Sequence, residues 1–294
     1  MITAPLPEIV TALTRVGRAQ GDFAGEPMAR ILGAHLEGPF ISPARKGAHR
    51  VERMLLPTPA HVDALLADPA ARAALRTVTL APELPGAVEA TRRLVGEGCV
   101  VSVGHSDATA AQVRAAGDAG ATMTTHVSNA QRPLKHREPG VPGAVLTDER
   151  FFVGTIIDGQ HLDPRVVSLV MSAAGRRMVG VTDAIVTAGR EPGEWHEFGG
   201  QPVANDDSGL GRRRDGTIAG AGVVLDEGVR RMIAAGLDPA RILGACTENA
   251  ARSLGRADIG HVAAGAAADL VWWDAAWQPS AVWIAGEAIR PPVG

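Results

Sequence analysis

The chain is short of several things, and each shortage narrows what it does. Two cysteines in 294 residues leave no disulfide framework and fit a reducing compartment. Cys99 lies in an apolar run and Cys246 in a helical one, so both read as small buried hydrophobes. No apolar stretch reaches the roughly 18 residues of a membrane span. Residues 1–9 hold no basic region and no signal-peptide core, so the cytoplasm is the expected compartment. Positive charge is not in excess. A net charge of −3 excludes broad affinity for nucleic acid or an anionic membrane, and the run Arg212-Arg213-Arg214 reads as a solvated hairpin loop. No G-x-G-x-x-G stands between a strand and a helix, which removes the phosphate loop of an open dinucleotide-binding sheet.

What is present is an alternation of short apolar runs and amphipathic stretches. At 46% hydrophobic residues the chain can bury the core of one large α/β domain. Helices are expected at 7–19, at 59–75 (one or two), and at 85–97, 109–119, 164–174, 222–235, 239–245 and 248–254. Ser106 or Asp107 is the expected cap of the fourth segment. Strands are expected at 31–35, 77–81, from Cys99, at 151–157 and at 178–182. This βαβα rhythm predicts parallel strands with helical crossovers. After Gly255 the pattern changes to two or three strands joined by turns. The expected division is a barrel over 1–255 and a small β-appendage over 256–294.

The chemistry-bearing residues sit where the apolar runs stop. Ile31 and Leu32 lead to Glu37; Val100 to Val103 lead to His105; Thr122 to Thr125 lead to His126; Met178 to Thr182 lead to Asp183. His105 and His126 are 21 residues apart with one helix between them, so their strand ends emerge side by side on one face. Chemistry drawn from at least four strand ends favours a (β/α)8-type barrel over an open doubly wound sheet. Two imidazoles and a carboxylate that leave a position open form the pattern of a catalytic metal site. Glu37, His105 and His126 are the candidate ligands. Zn²⁺ is the default, and the same donors suit Fe²⁺ or Co²⁺. Asp183 is the candidate acid/base, with a helix N-cap as its plain alternative.

Five motifs then carry a resemblance: His35-Leu36-Glu37-Gly38-Pro39-Phe40 with Lys46-Gly47-Ala48-His49; Gly104-His105-Ser106-Asp107-Ala108; Thr125-His126-Val127-Ser128-Asn129-Ala130 with Arg137-Glu138-Pro139-Gly140; Asp158-Gly159-Gln160-His161; and Val181-Thr182-Asp183-Ala184. In order and spacing the chain resembles the N-acetylglucosamine-6-phosphate deacetylases of the amidohydrolase superfamily. The resemblance implies a metal-dependent barrel with a small C-terminal β-appendage. It implies hydrolysis of N-acetylglucosamine 6-phosphate to glucosamine 6-phosphate and acetate, in amino sugar catabolism and cell-wall recycling. A deacylase of another N-acyl amino sugar phosphate is the second reading, and an inactive truncated homologue the third. A homodimer is implied as well.

The resemblance also places substrate contacts. Ala48, His49, Asp158 and His161 fall among the substrate contacts, with His49 approaching the acetyl carbonyl and His161 the sugar; a surface histidine is the bland alternative for His161. The phosphate dianion falls to Arg137, whose planar fork suits it, and to the Asn129-Ala130 backbone. A solvated basic loop is the alternative there. Ile218-Ala219-Gly220 falls on the substrate loop without the hydroxyls usual at that point. Members begin with β-strands and a first barrel strand that often carries His-x-His, and residues 1–30 offer none. An incomplete barrel with an open edge is therefore expected.

Overall fold

The computed structural model describes residues 2–290. Helix α1 (Leu6–Asp22) precedes strand β1 (Ala34–Glu37); α2 (Pro59–Leu66) and α3 (Pro69–Ala74) precede β2 (Leu75–Leu80). Then follow α4 (Ala87–Gly96), β3 (Val100–Val103), α5 (Ala110–Asp118), β4 (Met123–Thr124), α6 (Gly140–Thr147), β5 (Phe152–Ile156), α7 (Pro164–Ala174) and β6 (Met178–Val181). These six strands form one parallel sheet in strict chain order, with β1 and β6 at its edges among the described residues. There is no reversal of strand order, hence no switch point of the doubly wound kind. The sheet curls as part of a barrel.

Parallel strands covered on both faces read as nearly continuous buried runs. On β2, Val78 and Leu80 are fully buried on one face, and Thr77 and Thr79 on the other. The threonine face carries a polar seam. His35 Nε2 lies 2.7 Å from Thr79 Oγ1, Thr79 Oγ1 lies 2.7 Å from Thr125 Oγ1, and Thr125 Oγ1 lies 2.6 Å from Ser102 Oγ. Each hydroxyl thus finds a partner in a place water does not reach. Cys99 and Cys246 are free thiols that burial keeps protonated.

After β6 come four antiparallel strands, β7 (His196–Phe198), β8 (Gln201–Asn205), β9 (Leu210–Arg213) and β10 (Ile218–Ala221). Helices α8 (Leu225–Ala234), α9 (Pro239–Cys246) and α10 (Glu248–Ser253) return the chain to the parallel sheet. A three-stranded antiparallel sheet, β11 (Leu270–Trp273), β12 (Pro279–Ile284) and β13 (Glu287–Arg290), closes the described chain. No helix among the described residues is long and apolar enough to cross a membrane.

Four local expectations are corrected. The first strand begins at Ala34 and not at Ile31; Gly33 has φ +141°, and a Cβ there would sit 2.2 Å from Arg76 Cγ. Helix α5 is capped by Thr109, not by Ser106 or Asp107. The Thr109 hydroxyl accepts from the Gln112 amide while the Gln112 side chain accepts from the Thr109 amide, a reciprocal box. Ser106 donates to Glu83 instead, and Asp107 pairs with Arg45 and Arg132. Helix α8 begins at Leu225 and not at Gly222, which lies against the Asn205 side chain. Arg212 and Arg213 belong to strand β9, leaving only Arg214 in the turn.

Candidate active site

Three of the four chemistry-bearing residues leave their strands in the same way. His105 lies two residues past β3, His126 two past β4 and Asp183 two past β6, while Glu37 is the last residue of β1. The first three have left-handed backbones, with φ of 45°, 31° and 57°. That conformation is uncommon for residues with a side chain and collects at functional turns. It breaks the strand geometry sharply, and the side chains converge at the end of the sheet.

Three of them meet. Glu37 Oε1 is 2.7 Å from His126 Nε2 and 3.0 Å from His105 Nε2, and the two Nε2 atoms are 3.2 Å apart. Both rings are buried. The His105 Nδ1–H donates to the Arg45 carbonyl at 2.8 Å, so the His105 Nε2 lone pair points inward. Such outer partners fix the tautomer of a metal-ligating histidine. Arg45 is itself held by the Asp107 carboxylate, 2.7 Å from its guanidinium.

The charges follow from this crowding. Burial opposes a charge on Glu37, yet the His126 charge and the hydrogen bond from its ring hold the carboxyl well below the usual range. Burial also opposes a charge on His126, but Glu37 overcomes it and lifts the ring to about 9. One proton therefore bridges the donors when no cation does. Three donors aimed at one point fit a divalent cation better than they fit a single proton. Together they form a possible metal-binding group.

A cavity of about 290 Å³ opens over this group. Ala48, His49, Asn129, Ala130, His161, Asp183, Ile218, Ala219 and Gly220 all line it, beside the three candidate ligands. Burial pushes the Asp183 carboxyl up to about 6, with the nearby Glu37 charge adding to the effect. Burial, and then the His105 ring 4.5 Å away, push His49 down to about 3. His49 is thus a neutral ring at neutral pH.

Two expected contacts lie elsewhere. Asp158 is buried and does not line the cavity. Its carboxylate accepts from the His161 ring Nδ1–H at 2.6 Å and from the Gln160 and His161 amides at 2.9 Å. It orients His161 and is itself out of reach of a ligand. Arg137 is exposed on the loop after Gln131 and outside the cavity. Sequence reasoning missed Ile2, Ile185 and Phe198, which line the wall with Gly47 and Ala184 of the motifs. It also missed a second cavity of about 380 Å³ that shares His49 and is lined by Lys46, Arg50 and Arg213.

The amidohydrolase family matches residues 19–289. The chain belongs to the amidohydrolase family. This member is 38% identical over 288 residues to an N-acetylgalactosamine-6-phosphate deacetylase of Escherichia coli O157:H7, covering 97% of this chain and 75% of that protein. It is 38% identical over 250 residues to an N-acetylglucosamine-6-phosphate deacetylase of Bacillus subtilis, covering 83% and 61%. Among solved structures it resembles an N-acetyl-D-glucosamine-6-phosphate deacetylase variant of Mycobacterium smegmatis in complex with N-acetyl-D-glucosamine-6-phosphate. The TM-score is 0.90 at 34% identity, over 99% of this chain and 75% of that one. The amidohydrolase thus has its candidate metal group where the sheet ends, under a cavity of small-molecule size.

Proposed function

We propose that the chain hydrolyses the acetamide of N-acetyl-D-glucosamine 6-phosphate, giving D-glucosamine 6-phosphate and acetate. The observation that carries this is the convergence of Glu37, His105 and His126 on one point within a cavity also lined by Asp183. The names of the relatives supply the substrate class. Glu37, His105 and His126 would hold the cation, which we take as Zn²⁺ from the two imidazoles and the carboxylate, with Fe²⁺ and Co²⁺ suited to the same donors. When bound, such an ion supplies Lewis acidity to the amide carbonyl and lowers the pKa of water towards ~7.

This chain's residues do the rest. The Asp183 carboxylate takes the proton of the attacking water as its oxygen bonds to the carbonyl carbon. It returns that proton to the departing nitrogen as the C–N bond breaks. In the cation-free protein burial raises this carboxyl to about 6; a cation held beside it would lower that value and keep the base form at neutral pH. His49, a neutral ring, donates to the carbonyl oxygen, where charge develops. His161, held by Asp158, contacts the sugar. The Asn129-Ala130 backbone and Arg137 are assigned to the phosphate, and Ala48 with the Ile218-Ala219-Gly220 strand encloses the ring. The catalytic unit in this scheme is 1–255, with 256–294 as its appendage, and two chains form a homodimer.

A second reading exchanges the sugar for its 4-epimer. It is favoured by the N-acetylgalactosamine-6-phosphate deacetylases of E. coli and of Shewanella, the latter 33% identical over 98% of this chain. Acetate release from the two phosphorylated epimers and from unphosphorylated N-acetylglucosamine, measured on Zn²⁺-loaded protein, decides between them. The Glu37→Gln protein serves as control and is expected to lose both metal and turnover. A folded, metal-loaded wild type that releases no acetate from either phosphate ester refutes both readings. Unchanged metal content in Glu37→Gln refutes the ligand assignment.

A further inference from the structure

The N-terminal segment enters the site from a side that no motif marks. Thr3 is buried, at 2% exposure. Its Oγ1 lies 2.7 Å from Nδ1 of His49, and its backbone N–H points at the same nitrogen at 3.4 Å. The hydroxyl is also 3.4 Å from the Glu37 carbonyl oxygen. A backbone amide can only donate, so the nitrogen it faces is one that accepts. A neutral imidazole that accepts at Nδ1 carries its proton on Nε2. Nε2 of His49 has no hydrogen-bond partner among the described residues, and the ring lines the cavity.

We infer that Thr3 is a positioning residue: it holds His49 in the Nε2–H tautomer and leaves that N–H as a donor to the acyl oxygen of the substrate. The identity of the acyl oxygen rests on the deacetylase reading. The tautomer does not.

The surroundings are built to let Thr3 in. A Cβ on Gly38 would lie 1.9 Å from the Thr3 hydroxyl, and Gly38 has φ +81°. The glycine that follows Glu37 therefore serves two ends. It turns the chain after the ligand, and it clears the space through which Thr3 reaches His49. Through the same contact Thr3 fixes the plane of the His49 ring, which meets His105 edge to face with centroids 4.5 Å apart. A histidine free to swing would present its donor to the acyl oxygen only part of the time. The loss would appear in turnover more than in binding, because the developing charge in the transition state is what the donor meets.

The test uses Thr3→Val, which keeps the shape and backbone amide but removes the hydroxyl, and Thr3→Ser, which restores it. Ring ¹⁵N spectra of His49 are recorded on Zn²⁺-loaded protein without substrate, and kcat, KM and metal content are measured on the same samples. The expected wild-type spectrum shows an unprotonated Nδ1 and a protonated Nε2. In Thr3→Val the Nδ1 resonance moves as its donor is lost, kcat falls about 10-fold or more, part of what losing a donor to the developing oxyanion costs, and KM and metal content stay close to wild type. Thr3→Ser recovers both spectrum and kcat. A protonated Nδ1 in wild type overturns the inference, as does wild-type kcat in Thr3→Val or a Thr3→Ser protein no better than Thr3→Val. If the spectra behave as expected while no sugar phosphate is deacetylated, the positioning of His49 stands and the deacetylase reading falls.

Discussion

Replacing Asp183 by asparagine separates what this carboxylate costs the fold from what it gives to catalysis. Burial raises its pKa from 3.8 to about 6, so the folded chain holds the proton more tightly than the unfolded one. A raised carboxyl contributes stability that is complete below about pH 4 and is lost as pH rises through about 6. Two units correspond to about 3 kcal/mol. Asp183 keeps some contact with water, so about 1–3 kcal/mol is the expected penalty for its charge in cation-free protein. Asparagine has nearly the same shape and no charge. Chelator-treated Asp183→Asn should therefore be more stable than wild type at pH 7.5 by that amount, and the two should converge towards pH 4. Urea unfolding followed by circular dichroism from pH 4 to 8 reads the difference. Saturating Zn²⁺ should shrink or reverse the neutral-pH gap, because a cation beside the carboxylate favours its charged form. On the same metal-loaded samples kcat should fall about 10²- to 10⁴-fold, and the acidic limb of the pH–rate profile should vanish. An asparagine variant that is less stable at pH 7.5, or a gap that does not close towards acid, refutes the desolvation argument. Near-normal turnover in the metal-loaded variant removes the acid/base role.

Metal uptake should release protons. His126, lifted to about 9 by Glu37 against the effect of burial, carries a proton at pH 7.5 that a ligating imidazole cannot keep. Calorimetric titration with Zn²⁺ in buffers of different ionisation enthalpy should show about one proton released per ion at pH 7.5, declining above pH 9; no release at pH 7.5 would contradict the bridging proton. For the phosphate, Arg137→Ala should weaken the phosphorylated substrate tenfold or more, from about 1.5–3 kcal/mol for a charge-assisted contact, and leave unphosphorylated N-acetylglucosamine nearly unaffected. Equal losses on both substrates dismiss Arg137. A selective loss in Lys46→Ala or Arg213→Ala instead moves the dianion to the neighbouring cavity. Removing the cap of α5, Thr109→Ala, should lower stability by about 1 kcal/mol without touching turnover.

The metal group was legible because the sequence shows apolar runs that end in Glu, His, His and Asp, and a parallel sheet brings such ends together. The direction of a side chain after the strand end was not legible. Asp158 and His161 share one motif, yet one is a buried support and the other lines the cavity. Helix α6 was missed because Gly140, Pro142 and Gly143 read as breakers. Packing overrides that propensity: Val141, Ala144 and Val145 are buried, and a Cβ on Gly143 would meet Pro139 at 2.4 Å. The antiparallel meander did carry a signal. Gly199-Gly200, with φ of 60° and 77°, is the two-residue turn that joins hairpin strands, and it falls between β7 and β8. What no pattern announces is a main-chain contact such as the Arg45 carbonyl on His105, since any residue type supplies a carbonyl.

The left-handed turns at His105, His126 and Asp183 bear on how such a chain changes over generations. Each of these side chains occupies a backbone geometry that glycine adopts freely and that costs a residue with a Cβ roughly 1–2 kcal/mol. Exchange for glycine at any of the three would relax the backbone while deleting a reacting group. At either histidine the same exchange would leave the buried Glu37 carboxylate short of a partner. The strain at these strand ends is therefore held in place by the same contacts that assemble the site.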